Sequence, residues 1–156
     1  MREILFRGKR VDNGEWCEGY YVKAGHHWHQ HGIHEDWIVC GASANGGWFA
    51  INDRRAVDPY TVGQYTRLTD KNGEKIFEGD IFREDDIIGV VIFENGAFKI
   101  KWYGITTVLY EYGYDDGDWD ELETECFDAF FVDKMEVIGN IHDNPELLEG
   151  KDHDQP

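Results

Sequence analysis

Short runs of aromatic and β-branched residues, each broken after a few positions by a polar turn, set the pattern of this chain. Glu15–Val22, Trp37–Val39, Trp48–Ile51, Ile87–Phe93 and Ala97–Tyr103 read as strands, while no long stretch keeps a 3.6-residue apolar repeat. Four Asn-Gly dipeptides, at Asn13-Gly14, Asn45-Gly46, Asn72-Gly73 and Asn95-Gly96, punctuate these runs. Asn and Gly both tolerate positive φ, which a type I′ turn demands at its two central positions, so each dipeptide is a candidate hairpin turn. The pattern predicts an all-β, or mostly β, fold.

One hairpin can be placed in register from the sequence. With Asn95-Gly96 as a two-residue loop, Phe93 falls opposite Phe98, Val91 opposite Ile100 and Gly89 opposite Trp102. These pairs share one face, whose large members are all apolar. On the other face Ile92 meets Lys99 and Val90 meets Lys101, where lysine stems cover apolar surface and their ammonium groups reach water. Further on, Met135–Ile141 reads as a last strand. Asn144-Pro145-Glu146 then opens a short helix, with Asn144 as N-cap, Pro145 in the first helical position and Glu146 favourable in the first turn. The polar end of the chain, residues 150–156, is expected to be a disordered tail.

Composition sharpens this picture without supplying a mechanism. A chain of 156 residues, 41% hydrophobic and 15% aromatic, is long enough to bury a core without disulfides. Cys17, Cys40 and Cys126 are odd in number, lack paired spacing and read as free, core-filling thiols. Met1–Arg7 interrupts its apolar residues with charge, and no apolar run reaches membrane-spanning length, so the expected compartment is the cytoplasm.

Charge is distributed unevenly. Residues 1–101 balance to −3, whereas residues 102–156 carry 2 Lys/Arg against 16 Asp/Glu, with no basic residue between Lys101 and Lys134. A phosphate backbone would be repelled by that half, so no direct nucleic-acid binding is expected; a basic protein partner would be attracted.

Three stretches together resemble the YopX family, small proteins encoded by phages and prophages of Gram-positive and related bacteria. The first is Met1-Arg2-Glu3-Ile4-Leu5-Phe6-Arg7-Gly8-Lys9 with Asn13-Gly14-Glu15-Trp16. The second and most specific runs from Val57-Asp58-Pro59 through Thr61-Val62-Gly63-Gln64-Tyr65-Thr66 into Asp70–Ile81. The third is Glu136–Leu148. The resemblance spans nearly the whole chain and implies a YopX-like domain over residues 1–149. Within it an N-terminal β part at 1–67 would precede a later half, 68–149, similar to an SH3-type barrel. It implies no catalytic mechanism, and it does not extend to the histidine-rich stretch Gly25–Glu35 or the acidic stretch Tyr112–Glu125.

Candidate chemistry concentrates in those two stretches. His26, His27, His29, His31 and His34 lie within nine residues. On an extended segment His27, His29 and His31 point to one side, where Zn²⁺ or Ni²⁺ could be shared and Glu35 or Asp36 could complete the shell. The plainer reading of the same residues is a solvated hairpin insert. Asp116, Asp118 and Asp120 alternate as calcium ligands would, but Glu121 and Phe127 stand where an EF-hand needs Gly and Glu, so a solvated acidic loop is the first reading. Glu78 and Asp80 could pair for acid–base work, yet Glu78-Gly79-Asp80 reads more simply as a turn in which Asp accepts backbone N–H groups; Asp58-Pro59-Tyr60-Thr61 reads as turn initiation. Tyr65, Phe77, Phe82 and Trp102 read as core. No Walker loop, G-x-S-x-G, C-x-x-C or H-E-x-x-H motif is present.

These features lead to an expected non-catalytic, phage-encoded accessory protein that binds another protein, or itself, through sheet edges or its acidic face. Two alternatives stay open: an acidic DNA mimic that inhibits a host nucleic-acid enzyme, and a small metal-dependent enzyme using His26–His34.

Overall fold

A computed structural model describes residues 3–23, 36–45, 48–85, 87–110, 113–126 and 134–149. Its secondary structure is mostly strand, and among the described residues the only helical elements are three-residue 3₁₀ turns. The chain divides into two compact units, Met1–Arg67 and Leu68–Pro156.

In the first unit, β1 (Phe6–Lys9), β2 (Trp16–Val22), β3 (Asp36–Asn45), β4 (Trp48–Val57) and β5 (Gly63–Thr69) lie in the order β4-β3-β2-β1-β5. All the pairings of known register are antiparallel, with Arg7 opposite Glu18, Tyr20 opposite Val39 and Val39 opposite Arg54. One face holds the core. There Ile38 and Val57 are buried, a Cβ on Gly8 would lie 3.2–3.3 Å from Val57, Ile38 and Val62, and the rings of Phe6 and Tyr21 pack with centroids 5.6 Å apart. The Tyr21 hydroxyl donates to the buried Asp36 carboxylate on this side, and burial with that acceptor pushes the phenol up to about 12.

β5 runs on into the second unit, where the turn Asp70–Glu74 returns the chain as β6 (Lys75–Phe77). β7 (Asp80–Glu84), β8 (Ile87–Glu94), β9 (Ala97–Tyr110), β10 (Gly113–Cys126) and β11 (Val137–Asn140) form an antiparallel sheet of order β10-β9-β8-β7-β11. Buried residues lie on both faces of its β7–β8 part. Ile76, Phe82, Val91, Ile100, Trp102 and Met135 form one buried cluster. On the opposite face Ile81, Ile88 and Val90 are buried beneath Ile141, Leu147 and Leu148. Lys99 and Lys101 lie half-buried on the second face, with Lys99 Nζ 2.8 Å from Glu94 Oε2 and Lys101 Nζ 6.0 Å from the Tyr103 ring centroid.

The β8–β9 hairpin has the register expected from its sequence: Phe93 faces Phe98, Val91 faces Ile100, Gly89 faces Trp102, Ile92 faces Lys99 and Val90 faces Lys101. Asn95 and Gly96 both take positive φ, +53° and +81°, as the two-residue turn requires. A Gly96→Ala substitution is therefore expected to cost about 1 kcal/mol through the left-handed backbone alone, since a Cβ there meets nothing within 4 Å. A shift in the urea midpoint with an unchanged slope is the readout.

Other Asn-Gly dipeptides turn differently. At Asn13-Gly14 and Asn72-Gly73 only the glycine is left-handed, φ +73° and +85°. At the second, Gly73 N–H donates to Asp70 O and Asp70 N–H to Glu74 O, a three-residue loop closed by a left-handed glycine rather than a two-residue turn. Gly46 lies outside the described residues, although Asn45 and Trp48 pair across it.

Among the described residues the second unit's sheet has β10 and β11 at its two ends, and no closed barrel is formed there. One further expectation needs correction. The acidic stretch expected as a loop is the strand β10, paired with β9 from Gly113–Tyr110 to Cys126–Lys99, with register shifts between Asp116 and Trp119 and between Glu121 and Thr124.

The C-terminal helix is one 3₁₀ turn, Pro145–Leu147, with Pro145 at its start. Asn144 occupies the cap position, but its side-chain oxygen serves Asn140 rather than the turn itself. The 150–156 tail lies outside the described residues.

Candidate functional site

A groove of about 500 Å³ opens on the second unit, lined by Lys71, Arg83, Glu84, Asp85, Lys134, Met135, Glu136 and Ile138. Three separate segments build it, and the braces are mostly backbone. Lys71 N–H donates to Met135 O at 3.0 Å, while Asp70 holds Val137 from the neighbouring position. Pairing of Val137 with Phe82 sets this segment beside the end of β7, which supplies Arg83 and Glu84. Buried Met135 and exposed Ile138 provide apolar surface. Lys71 Nζ lies 2.5 Å from Glu136 Oε2, and among the described lining residues three cations accompany three carboxylates. Among the described residues the lining offers ionic and apolar contacts and contains no histidine, cysteine or hydroxyl side chain.

Polar residues buried elsewhere in the second unit serve the backbone. The Asp80 carboxylate is buried and accepts from Phe77 N–H at 2.7 Å, while Gly79 between them takes φ +85°. Gly79 N–H donates to Val91 O and its carbonyl accepts from Ile141 N–H. Glu78-Gly79-Asp80 is thus a turn that ties β6, β7, β8 and the end of β11 together; the fully buried Asp80 does not face a cleft. Asn140 is similar: its side-chain oxygen accepts from both His142 and Asp143 N–H at 3.0 Å, and its amide donates to Asp143 at 2.7 Å.

In the first unit, Asp58-Pro59-Tyr60-Thr61 is also a turn. Asp58 Oδ1 accepts from Tyr60 N–H at 3.0 Å, and the buried Thr61 hydroxyl bridges Lys9 N–H and Asp58 O. Tyr60 itself is 89% exposed. Cys17 is half-buried and Cys40 exposed, both as free thiols. Burial first, and the adjacent Cys40 next, push Cys17 up to about 11, which leaves it protonated and weakly nucleophilic at neutral pH.

His26, His27, His29, His31 and His34, and with them the proposed Zn²⁺ or Ni²⁺ site, lie outside the described residues, as does Glu35. Asp116, Asp118 and Asp120 fall in β10, where a register shift separates Asp116 from Asp120 and breaks the simple alternation assumed for calcium ligands. Among the described residues no group of three or more His, Cys, Asp or Glu is arranged to hold a metal. No helix there is long and apolar enough to cross a membrane. Of the expected core aromatics, Phe77, Phe82 and Trp102 are buried and Tyr65 is half-buried.

With this geometry established, comparison with known proteins places the chain in a class. The YopX protein family model matches residues 5–149, nearly the whole chain, and the chain belongs to the YopX family. Its fold is similar to the crystal structure of protein EF1440 from Enterococcus faecalis, at 24% identity and a TM-score of 0.50, covering 94% of this chain and 99% of that one. That likeness concerns the fold alone. No curated protein matches the chain.

Proposed function

We propose that this YopX family member is a non-catalytic, phage- or prophage-encoded accessory protein that works in the cytoplasm of the host bacterium by binding a basic protein partner. One observation carries this reading. The fourteen-residue strand β10 lies at the end of its sheet, within a stretch where no Lys or Arg occurs between Lys101 and Lys134. A long strand whose outer edge pairs with no other described strand offers main-chain hydrogen bonds, and its acidic sequence selects against a second negatively charged edge and for a cationic one.

Affinity capture from host lysate at low and high salt tests this, using the wild type and a variant carrying Asp115→Asn, Asp116→Asn, Asp118→Asn and Asp120→Asn. A basic protein retained by the wild type and lost by the variant is expected, with weaker recovery at high salt. Equal recovery by both proteins at both salts would sink the proposal. If the captured protein is a nucleic-acid enzyme whose DNA competes for the same face, the module acts as a DNA mimic.

A further inference from the structure

In the first unit, β2 and β3 bring two thiols together. Cys17 of β2 pairs with Gly8 on β1, and its Sγ lies 3.6 Å from the Gly8 carbonyl oxygen. On the other side of β2, Tyr20 faces Val39, so the next step of the ladder sets Gly19 beside Cys40, and Cys17 stands two residues further along the same face. Gly19 puts no side chain between them. A Cβ there would lie 2.8 Å from the Val39 carbonyl carbon and closer still to its oxygen, so the β3 main chain passes over the space a side chain would fill. Cys40 is also the residue at which β3 slips register against β4, between the Val39–Arg54 and Gly41–Asp53 pairs, and a bulge of this kind re-aims a side chain.

The two sulfurs interact directly, the Cys17 S–H donating a hydrogen bond to Cys40. Their surroundings give them unequal parts. Cys40 is exposed and Cys17 half-buried, so a small disulfide arriving from solvent meets Cys40 first. Burial and Asp53 raise Cys40, against which Arg55 and the Cys17 hydrogen bond act. Burial, and then Cys40, push Cys17 up to about 11. Cys17 is therefore a poor first attacker and a well-placed second one, because reaction with a sulfur already beside it is unimolecular. A pair held as thiols also gains no thiolate stabilisation in its reduced state, the reverse of what makes a disulfide strongly oxidising.

We propose that Cys17 and Cys40 form a redox-modification site whose oxidant is a low-molecular-weight disulfide. The Cys40 thiolate attacks one sulfur of the small disulfide, forming a mixed disulfide and releasing one small thiol. Cys17 then gives up its proton, attacks the Cys40 sulfur and expels the second small thiol. Two protein thiols lose two electrons and two protons, the oxidant takes up both, and its S–S bond is exchanged for one between β2 and β3. The product closes a covalent ring over residues 17–40, within which His26–His34 lie. In a cytoplasm such a bond is transient, present under oxidation and absent otherwise. The proposal is independent of the β10 surface.

The test incubates full-length protein with oxidised glutathione, quenches with acid and maps the disulfides by peptide mass spectrometry. The thiol titre is expected to fall from three per chain to one, with the Cys17 and Cys40 peptides joined and Cys126 left free. A reductant should restore all three. Cys17→Ser should accumulate a glutathione adduct on Cys40, Cys40→Ser should form no intramolecular bond, and Cys126→Ser should oxidise as wild type does. Unreacted thiols, a bond to Cys126, disulfide-linked dimers as the main product, or a glutathione adduct that persists on Cys40 of the wild type would each overturn the proposal. Circular dichroism checks that the serine variants fold, and where one does not, the wild-type map still decides.

Discussion

Replacing Trp102 by alanine is expected to remove about 3–5 kcal/mol from the stability of the second unit, the usual range for deleting a large buried aromatic. The indole is 3% exposed and sits in the cluster of Ile76, Phe82, Val91, Ile100 and Met135. Its placement depends on the residue across the ladder. Gly89 faces Trp102 directly, and a Cβ on Gly89 would lie 2.6 and 2.9 Å from indole carbons and 2.7 Å from Ile100 Cγ2. The ring lies over the space that glycine leaves. Gly89→Ala should therefore cost about 1–3 kcal/mol by overpacking, and part of that cost should vanish once the indole is gone. Combining the two substitutions in a cycle, followed by urea unfolding monitored by circular dichroism, should give less than the sum of the single losses. Additivity within about 0.5 kcal/mol would show that Gly89 is not there to admit the ring.

That pair also marks where the sequence was readable. Between Ile87 and Tyr103 the apolar alternation and the Asn95-Gly96 turn point to a single register, because a one-residue slip would exchange aromatics with Lys99 and Lys101. The same cue misled at Asn13-Gly14 and Asn72-Gly73. The dipeptide signals a left-handed glycine, but the length of the loop is set by hydrogen bonds from residues further away, such as Asp70 to Glu74. β10 was unreadable for a different reason. Asp and Glu are poor strand formers, and the density of charge in Asp115–Glu125 outweighs the weak alternation that remains, so only pairing with β9 makes it a strand.

The candidate surfaces were hidden more thoroughly. Lys71, Arg83 and Lys134 are far apart in sequence and meet at one groove only because β7 pairs with β11 and the Asp70 turn packs against Met135. What could be read locally was structural: the turns at Asp58 and Gly79-Asp80 follow from residue chemistry within three or four positions.

Asp70 shows how much one such side chain holds. Its buried carboxylate accepts from Asn72 N–H at 2.8 Å and Glu74 N–H at 2.9 Å, closing the β5–β6 turn, and from Val137 N–H at 3.3 Å, fixing the start of β11. Burial pulls its pKa upward, but the three backbone donors outweigh burial and hold it below the usual aspartate value. Asp70→Ala should destabilise the second unit by about 3 kcal/mol, because hydrogen bonds to a charged acceptor are worth more than neutral ones and Val137 N–H is left without one. The lowered pKa adds a signature of its own. A carboxylate that titrates lower when folded contributes stability that is complete above the unfolded value of about 3.9 and is lost as pH falls through the lower folded value. The gap between wild type and Asp70→Asn, which cannot titrate, should then be steady near neutrality and shrink below about pH 4. Urea unfolding across that range measures it, and a gap that stays constant into strong acid would mean that the carboxylate's charge contributes nothing to holding β11 in place.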